Sequence, residues 1–170
     1  GDDLEARSQK DGVPYVRWRD EGHVIAVDGP VIEPQAVEDK IRALCATYNV
    51  REIAFDPHLA RMPMQHLADE GLPVFEMPQR ITVMGPATGD LERTVNGRKI
   101  RHAGHPILRH HLDSGGAVRS ESGLVHMKRA KNTDRKDGAT AAAMAVSRAV
   151  QADTSRSIFE RDDFLELIGE

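Results

Sequence analysis

"REIAFDPHLA", residues 51–60, decides how the rest of the chain is read. A short apolar run ends in Asp56, Pro57 follows at once, and a helical pattern begins. Ile53 and Phe55 fall on one face of the run and Ala54 on the other. A strand that is small or apolar on both faces belongs inside a sheet covered on both sides. The stretch therefore reads as strand, then helix, with a carboxylate at the junction. Asp56 is either the helix N-cap or a metal ligand at the edge of a sheet.

Working outward, "EPQAVEDKIRALCATYNV" places Val37, Ile41, Leu44 and Tyr48 at helical spacing, with Pro34 in the first turn. "HLARMPMQHLADEG" predicts a second helix, with Leu59, Met62 or Met64, and Leu67 inward and Gly71 as its stop. Pro63 is expected near its first turn or at a kink. "LPVFEMP" reads as the next strand, and "GPATGDLERTVNGR" as a helix ended by Gly97. "KIRHAG" is extended. "HPILRHHLDS" is a short helix broken by Gly115 and Gly116. "AVRSESGLVHMK" reads as a hairpin turning at "SESG". "KDGATAAAMAVSRAVQAD" is the strongest helical segment, dense in Ala. Before residue 51, residues 3–10 are weakly helical, "GVPYVRWRDEG" is rich in turn signals, and "HVIAV" predicts a short strand closed by "DGP". Helices alternating with strands imply an α/β sandwich with a largely parallel or mixed sheet. No internal repeat or low-complexity tract is present.

A chain of 170 residues is long enough to bury a core. It is 39% hydrophobic and 29% charged, as a globular protein is, and with 4% aromatics that core must rest on aliphatic residues and Met. No apolar run approaches the roughly 20 residues of a membrane span, and no signal-peptide pattern opens the chain. "GDDLEARSQK" reads as a start cut from a longer protein. The single cysteine, Cys45, excludes an internal disulfide and is expected as a buried thiol. The net charge is −4, but the basic residues bunch in "RKIRHAGHPILRHH", 98–111, and "HMKRAKNTDRK", 126–136. Acids gather at the ends, above all in "FERDDFLELIGE". A basic middle grips phosphate or is simply a set of solvated loops.

Asp137, opening the Ala-rich helix, is the second candidate beside Asp56. Alone it reads as a first-turn acid that stabilises the helix. Paired with Asp56, it could converge on Mg²⁺ or Mn²⁺, which take a few carboxylates plus water and phosphate oxygens. Two such ions about 3.5–4 Å apart activate a water and stabilise the leaving oxygen of a phosphodiester. Small residues after Asp137 (Gly138, Ala139, Ala141) would let the helix approach the sheet closely. The histidines, including His102, His105, His110 and His111, lack the Cys partners and the HExxH order of a zinc site. There is no GxxxxGK[ST] loop and no GxSxG elbow.

"DGVPYVRWRDEGHV", "YNVREIAFDPHLARMPMQHLADEGLPV", "GDLERTVNGRKIRHAGHPILR" and "KDGATAAAMAV", in that order, resemble the large terminase subunits of tailed bacteriophages over roughly residues 4–150. The resemblance implies the C-terminal nuclease half of a packaging motor. That half has a ribonuclease H-like mixed sheet flanked by helices and uses acidic residues with Mg²⁺ or Mn²⁺ to cut concatemeric double-stranded DNA. It implies residues 1–150 as the nuclease domain and 151–170 as an acidic tail. It matches Asp56 to a metal-binding strand-end acid, Asp137 to the acid opening the last helix, and Lys128 to a basic catalytic residue upstream. Tyr15 and Trp18 fall in its "PY..W" segment as packing residues, and His102 matches a recurrent histidine near the site. Arg98, Lys99, Arg101, His102, Arg129 and Lys131 are the expected DNA-facing set. The family also carries an acid on a first strand, which is not found here. Asp2 and Asp3 sit in a polar lead-in to a helix, Asp28 reads as a turn residue, and Asp113 is a weak stand-in. The first strand is therefore expected to be missing from this stretch, leaving the sheet open at one edge. Portal, small terminase subunit and an ATPase domain are the implied partners, and the infected host's cytoplasm the implied location. A non-catalytic docking domain on the same scaffold is the alternative, supported by the acidic, amphipathic residues 156–170. A metabolic α/β enzyme would need a deep apolar pocket, for which no signature is present.

Overall fold

The computed structural model describes residues 3–27, 29, 31–119, 123, 125–129 and 135–155. In chain order these form α1 (Leu4–Asp11), α2 (Tyr15–Asp20), α3 (Pro34–Thr47), β1 (Ile53–Phe55), α4 (Pro57–Asp69), β2 (Val74–Glu76), α5 (Ile81–Asn96), α6 (Pro106–Asp113), β3 (Gly115–Arg119), β4 (Val125–Arg129) and α7 (Asp137–Ser155). The expected turn at "SESG" and the tail 156–170 lie outside the described residues, apart from Gly123.

The α/β expectation holds, but the strands form two separate ladders. β1 and β2 run parallel, with Ile53 opposite Val74 and Phe55 opposite Glu76. β3 and β4 form the expected antiparallel hairpin, with Gly115 opposite Arg129 and Gly116 opposite Lys128. Helix α4 is the crossover that a parallel pair requires. The two ladders meet through α5 and α7. Those helices pack on each other, α5 also lies on β4, and α7 lies on β1 and α6. The core between them is Met77, Met84, Ala87, Leu91, Ala143 and Met144, with Ala54 and Met127 packed against it. Ala87 and Ala143 have no exposed surface. Two methyl-sized side chains in one helix–helix core let the axes approach to the short end of the usual 8–10 Å or so. An aliphatic and Met core is what the scarcity of aromatics requires.

α7 is also clamped partway along its length. Arg148 makes a two-point pair with Glu52, Nη2 lying 2.8 Å from Oε2, and stacks 3.6 Å from the Phe75 ring centroid. Ser147 donates to Asp90 at 2.8 Å, joining α7 to α5.

Several sequence expectations are corrected. "PYVRW" is a helix, α2, rather than a turn, because burying Trp18 against His110 and Tyr15 requires helical spacing. "HVIAV" is not a strand among the described residues. Residues 23 and 24 form a bend whose amides both donate to the Trp18 carbonyl, at 2.7 and 3.1 Å, and Ile25 is two-thirds exposed. α5 begins at Ile81, one turn before the expected Gly85, because that turn carries Met84 into the core. Pro86 and Pro63 both sit inside helices rather than opening or breaking them. α3 is rotated relative to expectation. Its inner face is Glu38, Ile41, Arg42 and Cys45, while Val37, Leu44 and Tyr48 are exposed. An ionic clasp to α4, described below, sets that rotation. Cys45 is half-buried rather than buried. In α4, Met64 and Leu67 are inward and Met62 is exposed. α6 ends at Asp113 with Ser114 as its cap, and Gly115 and Gly116, expected to break the helix, open β3 directly after it.

Candidate functional site

Asp56 follows β1 directly and caps α4. Its Oδ1 accepts from the His58 amide at 3.2 Å. The cap engages one carboxylate oxygen. The side chain lines an open cleft of about 700 Å³ with His58, Arg61, Glu76, Gln79 and Arg80. Parallel strands deliver both acids of this cleft. Glu76 ends β2 opposite Phe55, one residue before Asp56. Arg61 reaches back from α4 to Glu76 at 3.1 Å.

Asp137 is exposed in the first turn of α7, where the helix dipole favours a negative charge. Three contacts hold that turn. The Thr140 amide donates to the Lys136 carbonyl at 2.9 Å, making Lys136 the N-cap residue. The Lys136 ammonium donates to the Met127 carbonyl of β4 at 2.7 Å. The Gly138 amide donates to Nδ1 of His111, on α6, at 2.9 Å. Burial holds the His111 pKa below the ordinary histidine value, with the Asp137 charge pulling the other way. The expected close approach at Gly138 is therefore to a histidine of α6. Ala139 is fully buried as anticipated, but Ala141 is exposed. Asp137 and His111 line a hollow with Tyr15, Ile107 and Arg135.

Gln79 connects the surroundings of the two acids. It bonds to Met144 of α7 at 3.3 Å and lines both the Asp56 cleft and a small hollow bounded by Lys136 and Thr140. Asp56 and Asp137 nevertheless line different hollows, and no group of three or more His, Cys, Asp or Glu side chains converges among the described residues.

Of the remaining expected residues, Arg98, Lys99, Arg101 and His102 are exposed on the connection from α5 to α6. His102 Nδ1 accepts from the Gly104 amide at 3.1 Å, so that histidine shapes its own loop. Arg98 has φ 54°, a left-handed conformation. Lys128 and Arg129 lie on β4, and their side chains, like Lys131 as a whole, lie outside the described residues. Asp113 ends α6, exposed and 3.8 Å from Arg109. Asp3 pairs with Arg7, and Asp2 and Asp28 lie outside the described residues. His23 and His105 meet edge to face at 4.7 Å. Sequence reasoning missed Glu76, His111 and Lys136. Glu76 sits at the end of the second strand, a signal the strand-end rule could have used.

The family model for "Terminase large subunit, endonuclease domain" matches residues 2–153. The terminase large subunit of Enterobacteria phage HK97 is 27% identical over 95% of this chain and 32% of its own length. Protein YmfN of Escherichia coli (strain K12) is 25% identical over 89% of this chain and 32% of its own. The chain thus spans about a third of the curated relatives it matches. The crystal structure of the HK97 large terminase superposes with a TM-score of 0.79 at 27% identity, covering 87% of this chain and 31% of that one. The large terminase nuclease of thermophilic phage G20c shares the fold, with a TM-score of 0.59 at 15% identity, over 71% of this chain and 64% of that one.

Proposed function

The chain belongs to the family of terminase large-subunit endonuclease domains, which have a ribonuclease H-like fold, and from that premise we propose that it is the metal-dependent domain that cuts concatemeric double-stranded DNA during phage packaging. The observation that supports the reading is that Gln79 lines both the cleft that holds Asp56 and the hollow beside Lys136, the residue before Asp137. Two carboxylates plus water and phosphate oxygens suit Mg²⁺ or Mn²⁺, and one oxygen of Asp56 is not used by the helix cap. Asp56 and Asp137 would hold the ion. When bound, a divalent ion lowers the pKa of its water and neutralises charge on the phosphate. The protein's share is positional. The strand end and the helix start fix the two carboxylates. Arg98, Lys99, Arg101, His102, Arg129 and Lys131 grip the DNA backbone. Lys128 offsets charge developing on the phosphate as the water attacks phosphorus. Backbone gripping makes cutting strongly salt-dependent and weakly sequence-dependent.

The test uses Asp56→Asn and Asp137→Asn with Mn²⁺ and supercoiled plasmid. Asn caps a helix as well as Asp does, so the first substitution removes charge and spares the fold. Nicking should fall by at least about a hundredfold in each, the scale of losing a group that stabilises the transition state, with unchanged melting. Nicking that persists in both variants rejects the assignment.

A non-catalytic docking role on the same scaffold is the second reading, favoured by the exposed Val37, Leu44 and Tyr48 along α3. It predicts that Leu44→Glu weakens assembly with portal or small terminase subunit while both Asn variants leave assembly intact.

A further inference from the structure

We propose that His111 is the positioning residue for Asp137, capping α7 from a neighbouring helix so that the carboxylate is held still; the proposal rests on the reading of Asp137 as a metal ligand.

The first amides of a helix lack intrahelical acceptors and are normally satisfied by the N-cap side chain. Here the N-cap residue is Lys136, whose ammonium has only donors. It cannot cap, and it is committed to the Met127 carbonyl at 2.7 Å. The acceptor comes instead from α6, where His111 Nδ1 receives the Gly138 amide at 2.9 Å. A backbone N–H can only donate, so the proton of neutral His111 is on Nε2. The fit is close. A Cβ at residue 138 would lie 2.7 Å from Nδ1, so glycine at 138 and histidine at 111 are matched to each other. Asp137 is thereby placed between two tethers, one to β4 through Lys136 and one to α6 through His111. The carboxylate itself is exposed, and a first turn without a cap frays. A metal ligand must be held within about 0.5 Å of its working position. The two tethers supply that constraint at the open end of α7.

The experiment compares His111→Leu, His111→Asn and Gly138→Ala in the full chain. The readouts are Mn²⁺ affinity by calorimetry, the amide resonance of Gly138 and plasmid nicking. Asn places Oδ1 where histidine has Nδ1, so it restores the acceptor. His111→Leu should weaken Mn²⁺ binding by about tenfold or more, as loss of a group supporting a ligand does, and move the Gly138 resonance. His111→Asn should recover most of both, and Gly138→Ala should behave like His111→Leu. If His111→Leu melts out, the Asn and Ala variants carry the comparison. Wild-type affinity in Gly138→Ala or His111→Leu overturns the proposal, as does an Asn variant no better than Leu. Wild-type protein that binds no Mn²⁺ overturns the reading of Asp137 and this proposal with it. The Gly138 resonance then still reports the cap alone, so the two failures are distinguishable.

Discussion

Arg98 shows how much a single residue can hold against its own preference. It closes α5 with the pattern in which the Lys99 amide returns to Thr94 O at 2.9 Å and the Arg98 amide to Val95 O at 3.0 Å. The residue at that point is left-handed, usually glycine. Gly97 precedes it with an ordinary φ of −76°, and Arg98 takes the strained place at φ 54°. The sequence pattern places the stop at Gly97, which is indeed the cap residue, but the left-handed conformation falls one residue later, on Arg98. Arg98→Gly should stabilise the chain by about 1 kcal/mol, the ordinary steric cost of a left-handed L-residue, read as a higher urea midpoint with an unchanged slope. A lower midpoint would contradict the assigned conformation. The proposed backbone contact at Arg98 is a reason for an arginine to be kept there, and the same variant should bind DNA more weakly.

Between elements, polar contacts decide as much as apolar ones. Glu38 of α3 is buried, 3.0 Å from His66 Nδ1 on α4 and 2.8 Å from Arg42, which also reaches Glu70 at 2.6 Å. The hydrogen bond from His66, with Arg42, holds Glu38 below the ordinary glutamate value of 4.5, and Arg42 does the same for Glu70. Both carboxylates bind protons less readily when folded. Their contribution is therefore complete above the unfolded value and is lost as pH falls through the lowered folded values. Stability should decline from about pH 5 downward, and Glu38→Gln should flatten that decline in melting curves taken across the range. An identical pH profile in the variant would remove the clasp from the account. Where α5 meets α7, the limit is volume. Ala143→Leu inserts a branched chain where no surface is exposed and should destabilise by about 1–3 kcal/mol, the usual cost of overpacking. Neutral behaviour in a denaturant titration would mean that the helices are free to separate.

Across the whole molecule, the charge distribution makes the remaining prediction. The chain carries a net charge of −4, yet Arg98, Lys99, Arg101 and His102 sit together on one exposed connection. If that connection grips DNA phosphates, replacing Lys99 and Arg101 by Gln should weaken binding evenly across sequences. The log–log salt slope should fall by about 1 for each phosphate that is no longer neutralised. An unchanged slope, measured by anisotropy between low and moderate salt, would move the DNA path elsewhere.

Local patterns alone were enough for α3 to α7, the parallel pair and the hairpin, because period, caps and turn residues act within a few positions of each other. They also sufficed for Asp56 at a strand end and Asp137 at a helix start. They could not decide which face of α3 turns inward, because Glu38 is buried only once His66 and Arg42 arrive from another helix and another turn. Nor could they show that a histidine 27 positions upstream in sequence caps α7 at Gly138. Those outcomes depend on groups distant along the chain meeting in space, and hydrogen bonds and close packing act only at contact distance. Tertiary structure alone therefore set the rotation of α3, the two-ladder division of the described strands and the cap that α6 places on α7.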